Sequence, residues 1–163
     1  MPSPALAPFE PATHEHDHLL VRVGGERFAF PLAAVEEAVE EPHVIALPGA
    51  PERCLGALRW RGRRVPLHDA APVFGVPAQS PARVALVICM QAPIAVVVDE
   101  LLDVTAIAPD EVRPWTCRDD AHRVVSGVAM ILGAPVAVVR PESVAAACGV
   151  AVERADVARE VAA

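Results

Sequence analysis

The densest group of metal-ligating residue types is the run His14-Glu15-His16-Asp17-His18. Imidazole and carboxylate groups both bind transition metals. A stable metal site also needs neighbouring groups that orient its ligands, and a run of successive polar residues on a flexible segment supplies none. We therefore expect this run to be solvated, and we predict no metal site and no cofactor.

General-base catalysis at His68 is a second chemical possibility, with Ser126 or a cysteine as the nucleophile. Successive residues of a strand point to opposite faces, so the adjacent Asp69 would not orient the His68 imidazole. Ser126 lacks the GxSxG context of a nucleophile elbow. We expect no catalytic residues, and a small hydrolase that uses His68 is the enzymatic alternative.

The chain contains no lysine, so all 14 of its basic residues are arginines. Schiff-base catalysis and the phosphate-binding P-loop both require lysine, and both are therefore excluded. The cysteines are widely spaced and form neither a CxxC motif nor a zinc-binding pattern. We expect them to be reduced in a cytoplasm. They are Cys54, Cys89, Cys117 and Cys148.

Opposite charges concentrate in two separate segments. Residues 53–64 contain five arginines and no acid, whereas residues 36–41 form an acidic stripe. The net charge of −7 argues against nucleic-acid binding, which requires a basic face. The planar guanidinium suits protein interfaces, so an acidic protein partner is the functional candidate, with an ordinary solvated hairpin as the alternative. The two sets are Arg53, Arg59, Arg61, Arg63 and Arg64, and Glu36, Glu37, Glu40 and Glu41.

Hairpins must position these residues, because glycines separate runs of strand-forming residues along the chain. The predicted hairpins lie at 19–30, 56–67, 84–98 and 127–139. Residues 31–39 combine helical with alternating spacing, which predicts a helical turn that leads into a strand. Asp69 as an N-cap and Gly75 as a stop predict a short helix at 70–74, and a second is predicted at 142–148.

Two segments repeat in the same order along the chain. Residues 27–39 resemble 93–104 in pattern, and four positions recur 71 residues later. Short strands with glycine turns favour small antiparallel barrels over a βαβ sheet. We predict one all-β domain at 18–149 with two lobes at about 18–82 and 83–149, a flexible arm at 1–17 and a tail at 150–163. The recurring positions are Gly56, Gly62, Val65 and Leu67, which match Gly127, Gly133, Val136 and Val138.

Neither secretion nor membrane insertion is expected. The first residues lack the basic and apolar regions of a signal peptide. The longest apolar stretch, 84–98, is shorter than the roughly 20 residues that span a bilayer. The expected location is the cytoplasm.

Short motifs follow one another along residues 19–149 in a characteristic order and spacing. They are Val23-Gly24, Phe28-Ala29-Phe30-Pro31-Leu32, Val35-Glu36-Glu37-Ala38-Val39, Leu47-Pro48-Gly49-Ala50-Pro51, Gly56-Ala57-Leu58-Arg59-Trp60-Arg61-Gly62, Val65-Pro66-Leu67-His68-Asp69, Val97-Val98-Asp99-Glu100, Val125-Ser126-Gly127-Val128 and the segment 133–139. In this order and spacing they resemble the CheW-like family of chemosensory coupling proteins. One departure is Arg59-Trp60, where the family usually has Asn-Leu before Arg-Gly.

The resemblance implies a non-enzymatic adaptor with two five-stranded SH3-like β-barrel lobes around a shared hydrophobic core, and with short helices. It implies two partners: the regulatory domain of a CheA-type histidine kinase and the cytoplasmic tip of a methyl-accepting chemoreceptor. Flagellar chemotaxis and a pilus or surface-motility pathway both remain open. Family contacts carry over to Val35, Glu37, Arg61 and Gly62, and the charge argument adds Arg59, Arg63 and Arg64.

Overall fold

The structure is a computed structural model. It describes residues 14–50, 54–78, 84–89, 92–115 and 124–148. In these residues eleven strands form two sheets. The predicted all-β class is confirmed. The strands are β1 Asp17–Val23, β2 Glu26–Pro31, β3 Val35–Glu40, β4 Val44–Ile45, β5 Cys54–Trp60, β6 Arg63–Asp69, β7 Val84–Cys89, β8 Pro93–Val98, β9 Glu100–Ala106, β10 Val125–Ile131 and β11 Ala134–Val139.

The predicted hairpins form as antiparallel pairs. β1 pairs with β2, β5 with β6, β7 with β8, and β10 with β11. Glycine permits the positive φ that tight hairpin turns require, as at Gly62 (φ +73°) and Gly133 (φ +78°). In the third hairpin, Met90 is predicted at the end of the first strand and Gln91 in the turn, and both lie outside the described residues.

The two sheets do not follow the predicted division of the chain at residues 82 and 83. The five-stranded sheet has the order β10-β11-β2-β1-β9, and the six-stranded sheet has the order β3-β7-β8-β6-β5-β4. Hairpin β1–β2 therefore lies between β11 and β9, and hairpin β7–β8 lies between β3 and β6. Each half of the chain contributes one hairpin to the sheet of the other half, which corrects the predicted lobes.

The exchanged hairpins are central because they are apolar on both faces. Alternate residues of a strand point to opposite faces. Val21 and Phe30 therefore pack into a core shared by both sheets. Leu20 and Ala29 point the other way and pack into the interior of the curled five-stranded sheet. Hairpin β7–β8 likewise divides its residues between the shared core and the interior of the six-stranded sheet. An edge position would leave one of these faces in water.

Two short helices close the shared core. Helix α1 (Ala70–Phe74) has the predicted bounds: the Asp69 carboxylate accepts a hydrogen bond from the Ala71 backbone N–H, and Gly75 follows in the left-handed conformation. Helix α2, at 141–148, matches the second prediction to within one residue. A 3-10 turn at Leu32–Ala34 leads into β3, as predicted. No helix of the described ranges is long and apolar enough to cross a membrane.

Described secondary structure precedes the predicted boundary between arm and domain at residues 17 and 18. A 3-10 turn spans His14–His16, and Asp17 already pairs with Ala106 in the ladder between β1 and β9. His18 is buried, and its Nδ1 lies 2.6 Å from the His16 carbonyl oxygen. The burial of His18 corrects the expectation that the whole histidine run is solvated, whereas Glu15 and His16 are exposed. The rest of the arm and the tail lie outside the described residues.

The repeat of 71 residues is also structural. Gly56 lies opposite Leu67 beside a bulge in β5, and Gly127 lies opposite Val138 beside a bulge in β10. Each glycine also lies close to the backbone of an antiparallel neighbour. A Cβ atom would lie 2.4 Å from the Ile45 carbonyl oxygen at Gly56 and 2.3 Å from the Arg113 carbonyl oxygen at Gly127.

Candidate partner-binding surface

The turn between β5 and β6 presents the arginine-rich segment at the tip of a hairpin. Arg61 (φ +47°) and Gly62 (φ +73°) both have positive φ, as in the tight turns whose twist matches that of the flanking strands. A non-glycine residue pays a steric cost for that conformation. The turn thus holds Arg61 at the tip, and its side chain is 63% exposed.

Arginines also line the strands behind this tip. Arg59 lies directly opposite Arg64 in the ladder, and Arg63 lies opposite Trp60. Like charges that face each other across two strands are mildly destabilising. All of the arginines at 59–64 are exposed. We name this surface, comprising Arg59, Arg61, Gly62, Arg63 and Arg64, the arginine tip.

Strand β3 carries the acidic stripe at an outer position of the same sheet. It pairs only with β7 among the strands of the described residues, and a register shift lies between Val35 and Glu37. Glu36 and Glu37 are exposed. Val35 is half-buried and packs against the shared core. The strand thus joins an acidic surface to the core between the two sheets.

The six-stranded sheet curls until β3 meets the end of β5. The Trp60 Nε1–H donates a hydrogen bond of 2.6 Å to Glu37 Oε2. The Arg61 guanidinium lies 4.4 Å from the centre of the Trp60 ring, and its Nη1 is 4.0 Å from Glu36 Oε2. Acidic stripe and arginine tip are therefore one continuous surface, with Trp60 at their junction.

Glu37 and Arg61, two of the residues predicted from the family resemblance, flank Trp60 in this surface. Arg59, Gly62, Arg63 and Arg64 share the hairpin with Arg61. Val35 lies two residues from Glu37 on β3, at the shared core. Trp60 is not among the residues predicted to bind a partner. The available signal was an aromatic hydrogen-bond donor beside an arginine in a lobe that also carries an acidic stripe.

A hydrolase that uses His68 would need an activated nucleophile beside it. In the described residues a cysteine lies next to His68, but it is not activated. Cys54 lies directly opposite His68 in the β5–β6 ladder, and its Sγ donates to the Gly56 carbonyl oxygen at 3.2 Å. Burial, together with the nearby Cys54, raises the pKa of the Cys148 thiol to about 11, so Cys148 stays protonated and unreactive at neutral pH. Ser126 lies in the other sheet and donates to the Val138 carbonyl oxygen.

Metal ligands are not brought together in the part of the chain that the structure describes. No cluster of three or more histidine, cysteine or acidic side chains there has the geometry to hold an ion. The histidine run instead makes the local contact between His18 and the His16 carbonyl group.

Comparisons with known proteins agree with this architecture. A protein-family model described as a CheW-like domain matches residues 17–148. No curated protein matches the chain. A solved structure that the chain resembles is the scaffolding protein TtCheW from Thermoanaerobacter tengcongensis, with a TM-score of 0.68 and 18% sequence identity over 77% of this chain and 89% of that one. At that level of identity the likeness concerns the fold.

Proposed function

The chain belongs to the CheW-like domain family, and from that premise we propose that it joins the cytoplasmic tip of a chemoreceptor to the regulatory domain of a CheA-type histidine kinase. Members of the family are non-catalytic coupling adaptors of chemosensory signalling, and this protein is one of them. We place it in the cytoplasm, at the arrays of its membrane-bound receptors.

One observation carries the proposal of a protein-binding surface: the arginine tip stands beside an acidic strand, and among the described residues most of its positive charge has no ion-pair partner. Within the described residues, the ion pair of the tip joins Arg61 to Glu36, across 4.0 Å. Arg59 and Arg64 face each other without an intervening acid. A partner that supplies carboxylates would relieve this repulsion and form the bidentate contacts that guanidinium groups favour.

We assign the receptor contact to the neighbouring strand β3. Val35 is half-buried where β3 leaves the shared core, and Glu37 follows two residues later. An amphipathic helix binds through apolar anchors whose orientation is fixed by charges at the rim. In this proposal Val35 contributes an apolar anchor, and Glu37 and Arg61 set the orientation of the bound helix or domain.

Coupling needs no chemistry in the adaptor. A protein that binds receptor and kinase together adds binding free energy to their complex, and it favours whichever relative arrangement it binds more tightly. A change in the receptor tip then shifts the kinase between its states.

The test is the affinity of the protein for the isolated regulatory domain of its cognate kinase, measured by titration calorimetry. Arg61→Glu should weaken binding by about tenfold because it replaces an attractive charge by a repulsive one. Arg113→Glu is the matched control, since Arg113 is also exposed. It lies beside the other, five-stranded sheet, where its backbone pairs with Val128. The affinity of this variant should stay within about twofold of wild type.

Two results would count against the proposal. Equal affinity of wild type and Arg61→Glu removes Arg61 from the interface. Absence of binding by wild type removes the kinase as a partner.

A further inference from the structure

Trp60 belongs to two environments at once. The residue is 8% exposed, and it belongs with Leu58 and Val65 to the buried cluster inside the six-stranded sheet. Its indole nitrogen nevertheless reaches the surface, where it donates to Glu37 Oε2 at 2.6 Å. A side chain held in the packed interior thus also holds a carboxylate at the surface.

The Trp60 ring also contacts the Arg61 guanidinium. The Arg61 guanidinium lies 4.4 Å from the ring centre, a distance at which the electron-rich face attracts a cation. Glu36 approaches Arg61 from the acidic strand at 4.0 Å. One buried residue therefore contacts both Glu37 and Arg61, the two charged residues that the family resemblance assigns to partner contacts.

Such contacts matter for binding because long charged side chains lose freedom when they enter an interface. Ordering one such side chain lowers the free energy gained on binding, and a side chain that is already held avoids part of that cost. The indole N–H to carboxylate bond is charge-assisted and short, so it is a strong constraint. The leucine that usually stands at this position in the family can make the apolar contacts but cannot donate.

We propose that Trp60 is a positioning residue of the partner-binding surface, whose indole N–H fixes the Glu37 carboxylate while its ring supports the Arg61 guanidinium. This inference rests on the proposed kinase contact. It adds that Trp60 holds Glu37 and Arg61 in place before the kinase binds. Trp60 itself need not touch the partner.

A double-mutant cycle separates this role from simple core packing. Trp60→Phe keeps an aromatic ring but removes the N–H donor, and we expect it to weaken binding to the kinase regulatory domain by about three- to tenfold. If Trp60 acts through Glu37, the same substitution in a Glu37→Ala background should change the affinity by less than about twofold. Similar losses in both backgrounds, or no loss in the first, would overturn the positioning role.

Val65→Ala is the control for stability, because it removes apolar volume from the same cluster without touching Glu37. Thermal unfolding should show that both Val65→Ala and Trp60→Phe lower the melting temperature. Only Trp60→Phe should also lower the affinity. An equal loss of affinity in Val65→Ala would mean that packing of the interior, and not the hydrogen bond, sets the contact, and this too would overturn the role.

A measurement on the free protein tests the contact without any partner. The chain has two tryptophans, so Trp115→Phe leaves the Trp60 indole proton as the one indole signal in the NMR spectrum. Adding Glu37→Ala, a change at an exposed residue, should accelerate exchange of that proton with solvent by about tenfold or more. Unchanged exchange would show that Glu37 does not hold the indole. Because this readout needs no kinase, it separates failure of the positioning contact from failure of the proposed function.

Discussion

Asp69 ends strand β6 and begins helix α1, so one carboxylate determines where the chain changes structure. Its side chain accepts a hydrogen bond of 3.1 Å from the Ala71 backbone N–H. Asp69→Ala should lower the free energy of unfolding by about 1 kcal/mol, because it leaves that N–H without its cap. Urea denaturation provides the measurement. Asp69→Asn, which also accepts, should lose much less, and an equal loss for both substitutions would contradict the capping role.

Asp69 could be identified from the sequence because an N-cap and a glycine stop are local signals. The contact between Trp60 and Glu37 could not, since it joins residues 23 positions apart. It forms only because the sheet curls and brings β3 to the end of β5. Residue types predicted which groups could meet a partner, and tertiary curvature determined which of them meet each other.

At the scale of elements, glycine turns and alternating patterns predicted the hairpins, but the exchange of hairpins between sheets is a non-local property. Strand β9 was not predicted, because adjacent Leu101 and Leu102 break the alternation of the strand. Leu101 packs against the shared core and Leu102 against the interior of the five-stranded sheet, beside a register shift between Leu20 and Val21. The two-residue strand β4 is too short for any periodic signal.

The close approach at Gly127 gives a prediction about hairpin β10–β11. An added Cβ would lie 2.3 Å from the Arg113 carbonyl oxygen, and that carbonyl cannot move freely because it accepts a hydrogen bond from the Val128 N–H at 2.8 Å. Gly127→Ala should therefore lower the free energy of unfolding by about 2–3 kcal/mol, through displacement of the bridge between Arg113 and Val128.

Gly133→Ala on the same hairpin is the matched control for Gly127→Ala. A Cβ there would meet no atom within 4 Å, so its cost is that of the positive φ alone, about 1–2 kcal/mol. Both values come from urea denaturation. If Gly127→Ala costs no more than Gly133→Ala, the bridge does not constrain the hairpin, and the 71-residue repeat loses this structural basis.

For the whole molecule, the alanine- and valine-rich composition fits the two sheet interiors. Their buried residues are mostly small, such as Ala29 and Ala129 in one sheet and Ala85 and Ala95 in the other. Phe28, Phe30 and Phe74 pack as a cluster where the two sheets meet. The sequence predicted two similar lobes because the repeat preserves this distribution, although each lobe draws strands from both halves of the chain.

Because the chain has no lysine and no tyrosine, few of its side chains can change the stability of the fold at alkaline pH. Arginine stays charged, so the side chains that titrate between pH 9 and 11 are thiols. Cys148 is buried in the shared core at the end of α2, and burial, with a smaller effect of Cys54, raises its pKa from 9.0 to about 11. In this range the unfolded chain has lost the Cys148 proton and the folded protein has kept it. Stability therefore falls as the pH rises.

The two pKa values correspond to a loss of ~2–3 kcal/mol, which starts near pH 9 and is complete near pH 11. Urea denaturation at pH 8 and pH 11, in the presence of a reducing agent, measures it. Cys148→Ala should remove that part of the pH dependence even if it lowers stability at pH 8, whereas Cys89→Ala should retain it. An identical decrease in wild type and Cys148→Ala would mean that the folded protein does not hold the Cys148 proton, and that the shared core admits the thiolate without penalty.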